Sequence, residues 1–87
     1  SIVDEFEEIY SLNADQKAGL FVHIACLLEN TKQGIRQNGD KKTDGILDEY
    51  PDDFKIVSKI LKPLEKAFKV IIEDNHIATI IMILKKL

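Results

Sequence analysis

The sequence is poor in the residues that build disulfides, metal cages and membrane spans. Cys26 is the only cysteine among 87 residues, which excludes an intrachain disulfide and a cage of cysteine ligands. We expect Cys26 to act as a small hydrophobic residue on a helix, in the reducing environment of the cytoplasm. No apolar run reaches the roughly 20 residues of a membrane-spanning helix, so we expect no membrane insertion.

Tryptophan is absent, and the predicted core is therefore aliphatic with the phenylalanines as its largest members. These are Phe6, Phe21, Phe54 and Phe68. A chain of this length buries only about 60–65% of the surface that its unfolded form exposes. Because so little material is left to wall a deep cleft, we expect an interaction domain and not an enzyme.

The sequence also has little excess of charge of either sign. The formal net charge is −3, and only Lys41–Lys42 and Lys85–Lys86 place two basic residues side by side. Binding to nucleic acid requires a basic surface, so we expect no direct contact with DNA or RNA. The hydrophobic fraction of 45% and the charged fraction of 31% are ordinary for a folded globular domain.

Two amphipathic helices are predicted in the first third of the chain. The apolar face of the first consists of Ile2, Phe6, Ile9 and Tyr10. The second is predicted over residues 15 to about 33, because Asn13 can cap it and Gln16 completes a capping-box variant. Its apolar stripe consists of Leu20, Phe21, Ile24, Leu27 and Leu28. Further apolar area is expected outside the core, as a contact site, at Val22, Ala25 and Cys26.

Two more helices are predicted after a loop at residues 37–45, which has turn dipeptides and no apolar side chain. Pro51 suits the first turn of the third helix, whereas Pro63 removes a backbone donor and predicts a kink or break near Lys62. The third stripe consists of Val57, Ile60, Leu61, Leu64 and Phe68. Residues 73–75 open the last helix, whose predicted buried face consists of Ile77, Ile80, Ile81, Leu84 and Leu87.

The β-branched run at residues 70–72 has no partner strand, so we interpret it as an extended linker packed on the core. The sequence therefore predicts an all-α fold, a compact bundle of four to five helices. Because the chain starts at Ser1 without a methionine, we expect residues 1–87 to be a single domain excised from a larger protein.

His23 and His76 are the only side chains that titrate near neutral pH without help from their surroundings. His23 falls on the shoulder of the second helix's stripe, half-shielded and still reachable. The residue four positions before it is Gly19, which has no side chain to cover the imidazole. His76 lies in the first turn of the last helix, where the helix dipole disfavours a protonated ring. By position alone, His23 is a border histidine and His76 a neutral surface residue.

Other chemistry finds no supporting pattern. A metal site would require both histidines to meet together with carboxylates, and their spacing does not predict this. The serines and threonines have no paired base in sequence, and the glycines fit no phosphate-binding loop. We expect neither a metal nor a cofactor.

Two blocks of sequence together resemble the PTS regulation domain. The first, GLFVHIACLLEN at residues 19–30, is similar to the early histidine-bearing helix of that family, which often reads LxxHIAxLLER. The second, LEKAFKVIIEDNHIATIIMIL at residues 64–84, is similar to its ending: Leu-Glu, an aromatic residue, hydrophobic residues and an acidic cap before EIAYIxxHL. The order of helices between the blocks fits as well.

The resemblance implies a helical regulatory module of a bacterial transcriptional regulator, phosphorylated on histidine by the sugar phosphotransferase system. His23 matches the first phosphorylatable histidine of the family. Ile83 occupies the slot of the second, and His76 stands where the family usually has a capping glutamate, so His76 is at most a possible secondary site. A single-histidine pattern is similar to the C-terminal regulation domain of LevR-type sigma-54-dependent activators.

The same resemblance implies partners. The phosphoryl donor would be HPr or a sugar-specific Enzyme II B component, and the domain would form a homodimer. One alternative stays open, namely a constitutive helical oligomerisation or adaptor domain in which His23 is only part of an interface.

Overall fold

The structure, a computed structural model, describes residues 2–33 and 45–87. Within these ranges it contains no strand and five helices. They are α1 (Ile2–Tyr10), α2 (Ala14–Lys32), α3 (Ile46–Glu49), α4 (Pro51–Phe68) and α5 (Asp74–Lys85). The prediction of an all-α bundle of four to five helices is confirmed. The predicted loop at residues 37–45 lies outside the described residues except for Gly45.

Helix α5 is the centre of the bundle and contacts all four other helices. Four of its predicted face residues, Ile77, Ile80, Ile81 and Leu84, are buried as expected. The burial also extends to Ala78. The prediction for Leu87 is wrong: this residue is 55% exposed. The helix ends at Lys85, and Lys86 takes a left-handed backbone conformation with φ of 57° that turns Leu87 away from the buried face.

The start of α2 is anchored to the end of α5. The predicted capping box is present, because the Asn13 side chain accepts from the Gln16 backbone N–H and the Gln16 side chain accepts from the Asn13 backbone N–H. The amide of Gln16 also donates to the carbonyl oxygens of Ile83 and Leu84, at 3.1 and 3.2 Å. The Leu84 carbonyl is one that the last turn of a helix leaves without a partner, whereas the Ile83 carbonyl also accepts from the Lys86 backbone N–H. The two bonds from Gln16 fix α2 and α5 as antiparallel neighbours.

Of the two predicted outcomes, a kink or a break near Lys62, the break is absent, since Pro63 lies within α4. The helix continues through it to Phe68. A proline removes one backbone donor and pushes on the carbonyl one turn earlier. Pro63 and Lys59 are both exposed, so the Lys59 carbonyl can tilt outward and bond to water. The helix therefore tolerates the loss of the one backbone hydrogen bond that Pro63 cannot donate.

The predicted linker at residues 70–72 is confirmed as non-helical. Lys69 ends α4 in a left-handed conformation with φ of 55°. The Glu65 carboxylate then accepts from the Ile72 backbone N–H at 3.0 Å, and Ile72 is buried in the core. This short connection reverses the chain and places α5 against α4.

Two of the four phenylalanines are not core residues. Phe6 is fully buried and Phe54 packs against the core, but Phe21 is 67% exposed and Phe68 56% exposed. For Phe21 the cause is a rotation of α2, whose buried residues are Gln16, Leu20, Ile24 and Leu27. At about 100° per residue, their centre lies roughly 45° from the predicted one. The rotation turns Phe21 outward and His23 inward.

A polar network connects three helices at one end of the bundle. The Tyr10 hydroxyl of α1 donates to the Asp53 carboxylate of α4. Asp53 also pairs with Lys85 of α5 at 3.4 Å, and the Lys85 ammonium lies 5.0 Å from the centre of the Tyr50 ring. Partial burial and the Asp53 carboxylate raise the pKa of the Tyr10 hydroxyl well above its usual value. The network joins α1, α4 and α5 at the end of the bundle where α5 terminates.

Candidate functional site

The structure brings the two histidines of the sequence together. Their ring centres lie 5.7 Å apart, and the ring planes are tilted by 49°. This separation and tilt fall within the range of aromatic pairs in contact. The pair arises because α2 and α5 run antiparallel, so that His23 in the middle of α2 faces His76 in the first turn of α5.

The two rings differ in burial. His76 is only 7% exposed, so the expectation of a surface histidine is wrong. The reason is that α5 is enclosed by neighbouring helices already at its first turn. His23 is half-buried, at the border that was predicted. Its Nε2 atom is nevertheless closed to solvent and has no hydrogen-bond partner among the described residues.

The surroundings of both rings favour the neutral form. Burial lowers the pKa of His23, and the adjacent His76 lowers it further, although an interaction with the His76 backbone partly opposes this. Burial also lowers the pKa of His76, while the Glu73 carboxylate acts in the opposite direction. The neutrality predicted for His76 is therefore supported, but burial and not the helix dipole is its largest cause.

A groove of about 540 Å³ runs between α2 and α5, one turn away from the histidine pair. Gly19 and Thr79, which precede His23 by four residues and follow His76 by three, form its near end. Asn13, Ile83 and Lys86 line it farther along. A Cβ atom on Gly19 would meet only Ile83, at 3.9 Å, so the space beside Gly19 is open. The slot that resembles the family's second histidine, Ile83, thus lies at this groove and not at His23.

The pair offers limited chemistry. Among the described residues, no third histidine, cysteine, aspartate or glutamate joins it in a group that could hold a metal ion. Two neutral imidazoles side by side can accept a proton or an electrophilic group, and His23 is the one nearer to the surface. The arrangement suits an acceptor of a transferred group.

Sequence reasoning missed the contact between the histidines. A signal for it was available in Gln16, which was recognised only as a capping residue. Its amide bonds to Ile83 and Leu84 set the register of α2 against α5. From that register, seven residues along α2 and about eight back along α5 bring His23 opposite His76.

The comparisons with known proteins agree with this fold. The whole chain, residues 1–87, matches the PRD domain family. The chain belongs to the PRD domain family. Comparisons with curated proteins and with solved structures gave no match.

The family resemblance seen in the sequence is thereby confirmed, since a PRD domain is a PTS regulation domain. Such domains are regulatory and not catalytic, and they act under control of the sugar phosphotransferase system. Within residues 2–33 and 45–87, no helix is both long enough and apolar enough to cross a membrane. Because it belongs to this family, the chain is a regulatory domain linked to the phosphotransferase system.

Proposed function

We propose that this domain is the regulatory part of a bacterial transcriptional regulator and that His23 accepts a phosphoryl group from the phosphotransferase system. The donor is HPr or a sugar-specific Enzyme II B component, in the cytoplasm. The observation that carries the proposal is the place of His23. This histidine, at the position that resembles the family's acceptor, lies on the border between the buried and exposed sides of α2, beside a second neutral ring.

The chemistry of transfer fits a neutral acceptor. A lone pair of the His23 imidazole attacks the phosphorus of the donor's phosphohistidine. The new P–N bond forms as the donor's P–N bond breaks, and the proton that His23 gives up passes to the donor's imidazole. A protonated ring has no free lone pair, so the lowered pKa of His23 keeps it competent at neutral pH. The acceptor otherwise supplies position more than covalent help.

The finer assignments follow from the same resemblance. We assign His23 as the single principal site, as in LevR-type sigma-54-dependent activators, and His76 as a possible secondary site. The domain works as a homodimer and does not contact nucleic acid itself. Phosphorylation adds nearly two negative charges at the edge of a helix, which changes packing or association.

One observation also fits a second function. Phe21 and Val22 are 67% and 58% exposed, and Ala25 and Cys26 are exposed beside them. We name these four residues the outer face of α2. A constitutive oligomerisation or adaptor domain would use such a face with no phosphorylation. The outer face is compatible with both functions, so a phosphorylation experiment separates them.

The test is incubation of the purified domain with the phosphotransferase components and labelled phosphoenolpyruvate. We expect one phosphate per chain, and none in His23→Ala. Helical content measured by circular dichroism should stay nearly the same, because a half-buried position loses little packing. His76→Ala serves as the matched control and should still be labelled. Labelling of His23→Ala at the wild-type level, or entry of the phosphate at His76 in place of His23, would contradict the assignment of the principal site.

A further inference from the structure

One nitrogen of the acceptor ring is closed in this structure. Nε2 of His23 is out of reach of solvent and forms no hydrogen bond with any described residue. Attack on phosphorus requires the nitrogen lone pair to point at the donor from about 3–3.5 Å. A donor cannot approach Nε2 in this way while the atom is closed to solvent.

His76 is the ring that lies against His23. It is held in place because it is buried and followed by two further buried residues, Ile77 and Ala78. His23 is half-buried on the edge of α2. Of the two rings, His23 is therefore the one that can leave the contact.

The path for that movement is open on one side. A helical side chain leans back over the preceding turn, which for His23 contains Gly19. Gly19 has no side chain to fill this space, and it lines the near end of the groove between α2 and α5. A ring that turns away from His76 over Gly19 enters the groove and exposes Nε2.

We propose that Nε2 of His23 accepts phosphate in an open position over Gly19, and that His76 is a positioning residue that holds the ring in a closed position in which Nε2 cannot react. This inference rests on the proposed function of His23. A buried nitrogen without a hydrogen bond destabilises the closed position, whereas water satisfies the same nitrogen in the open one.

A small phosphorylating reagent tests the proposal without any donor protein. The probe is potassium phosphoramidate: its P–N bond breaks, a P–N bond to His23 forms, and ammonium leaves with the proton that His23 gives up. The rate at His23 is followed by mass spectrometry with localisation of the site. We expect His76→Ala to react about tenfold faster than the wild type, since an aromatic contact no longer limits the open population. His76→Phe keeps a ring in place and should stay within about twofold of the wild type.

The second arm blocks the path. Gly19→Leu should react about tenfold more slowly than the wild type, because its side chain fills the space that the open ring occupies. Gly19→Ala is the matched control, since a single Cβ makes only an ordinary contact with Ile83. Its rate should be close to that of the wild type. An unchanged rate in Gly19→Leu would overturn the proposal even if His76→Ala failed to fold.

General loosening of α5 must be separated from loss of the contact. Ile77→Ala removes the buried side chain that follows His76 in α5 and keeps both rings of the pair, so it should not accelerate the reaction. Acceleration in Ile77→Ala equal to that in His76→Ala would overturn the proposal, as would a His76→Ala rate no faster than that of the wild type.

The enzymatic experiment keeps this inference distinct from the proposed function. If the phosphotransferase components do not label the wild type but the reagent rates follow the expected order, the proposed function fails and the closed position stands. If the components label His23 but the reagent rates are the same in all variants, the function stands and the role of His76 is refuted.

Discussion

Helices α2 and α5 are both rich in apolar residues, yet they bury them to different extents. Six of the twelve residues of α5 are buried, but only four of the nineteen of α2. The difference comes from their surroundings, because α5 contacts all four other helices and α2 forms one side of the bundle. Folding thus explains the apolar residues of α5, whereas the outer face of α2 needs another explanation. Contact with another protein surface would explain why the outer face of α2 is apolar.

The largest expected effect tests this difference through stability. Ile80 on α5 is fully buried and Phe21 on α2 is mostly exposed. Replacement of Ile80 by alanine should lower the free energy of unfolding by about 2–5 kcal/mol. Phe21→Ala removes a larger side chain and should change it by no more than about 0.5 kcal/mol. Urea denaturation of both variants at one pH measures this, and a loss of several kcal/mol in Phe21→Ala would show that α2 packs differently.

Much of this contrast is accessible from the sequence, but the rotation of α2 is not. Helical spacing and the capping box locate the helices, since these depend on residues near one another in the chain. The predicted centre of the α2 stripe is displaced because periodicity counts Phe21 as buried and leaves out the polar Gln16. The side chain of Gln16 is buried only because carbonyls of α5 receive its amide. A contact between residues this far apart in sequence leaves no periodic pattern.

The candidate site divides in the same way. The place of His23 on the border of α2 follows from local periodicity, and the resemblance to the family singles it out. The burial of His76 depends on helices packed around the first turn of α5, which no spacing within that helix indicates. The contact between the rings therefore required the three-dimensional arrangement.

A smaller effect concerns association through the outer face of α2. His23 borders this face, so a phosphoryl group there would lie at or near the rim of a self-contact. Two such groups related by a dimer axis repel each other, and we expect the unphosphorylated domain to associate more tightly. Sedimentation of both forms at matched concentration measures the difference. Equal or tighter association after phosphorylation would contradict this and would indicate a phosphate held by basic residues.

Two variants sharpen that experiment. Val22→Ser, on the outer face, should weaken association of the unphosphorylated domain. Ile71→Ser is the matched control, because Ile71 is 78% exposed on the linker between α4 and α5 and lies outside that face. If both variants weaken association equally, the contact is not specific to α2.

The smallest expected effect is on the pH dependence of stability. The experiment compares the buried histidines of the wild type with a histidine introduced at an exposed position of α2. Burial lowers the pKa of both His23 and His76 in the folded domain, whereas in the unfolded chain each keeps a pKa of about 6.5. The unfolded chain therefore binds more protons as the pH falls through about 6.5, and stability is lost in that direction.

The free energy of unfolding should thus decrease between about pH 7.5 and pH 5.5, where most carboxylates remain ionised. His76→Phe keeps a ring in the core but cannot be protonated, so its stability should fall less over the same range. Val22→His is the matched control: it places a histidine on the exposed outer face of α2, where folding changes the pKa little, and should leave the wild-type slope unchanged. Urea titrations at each pH give these slopes. If the free energy of unfolding of His76→Phe changes with pH as steeply as that of the wild type, burial of His76 does not disfavour its protonation. His76 would then differ from an exposed histidine on α2 in packing alone.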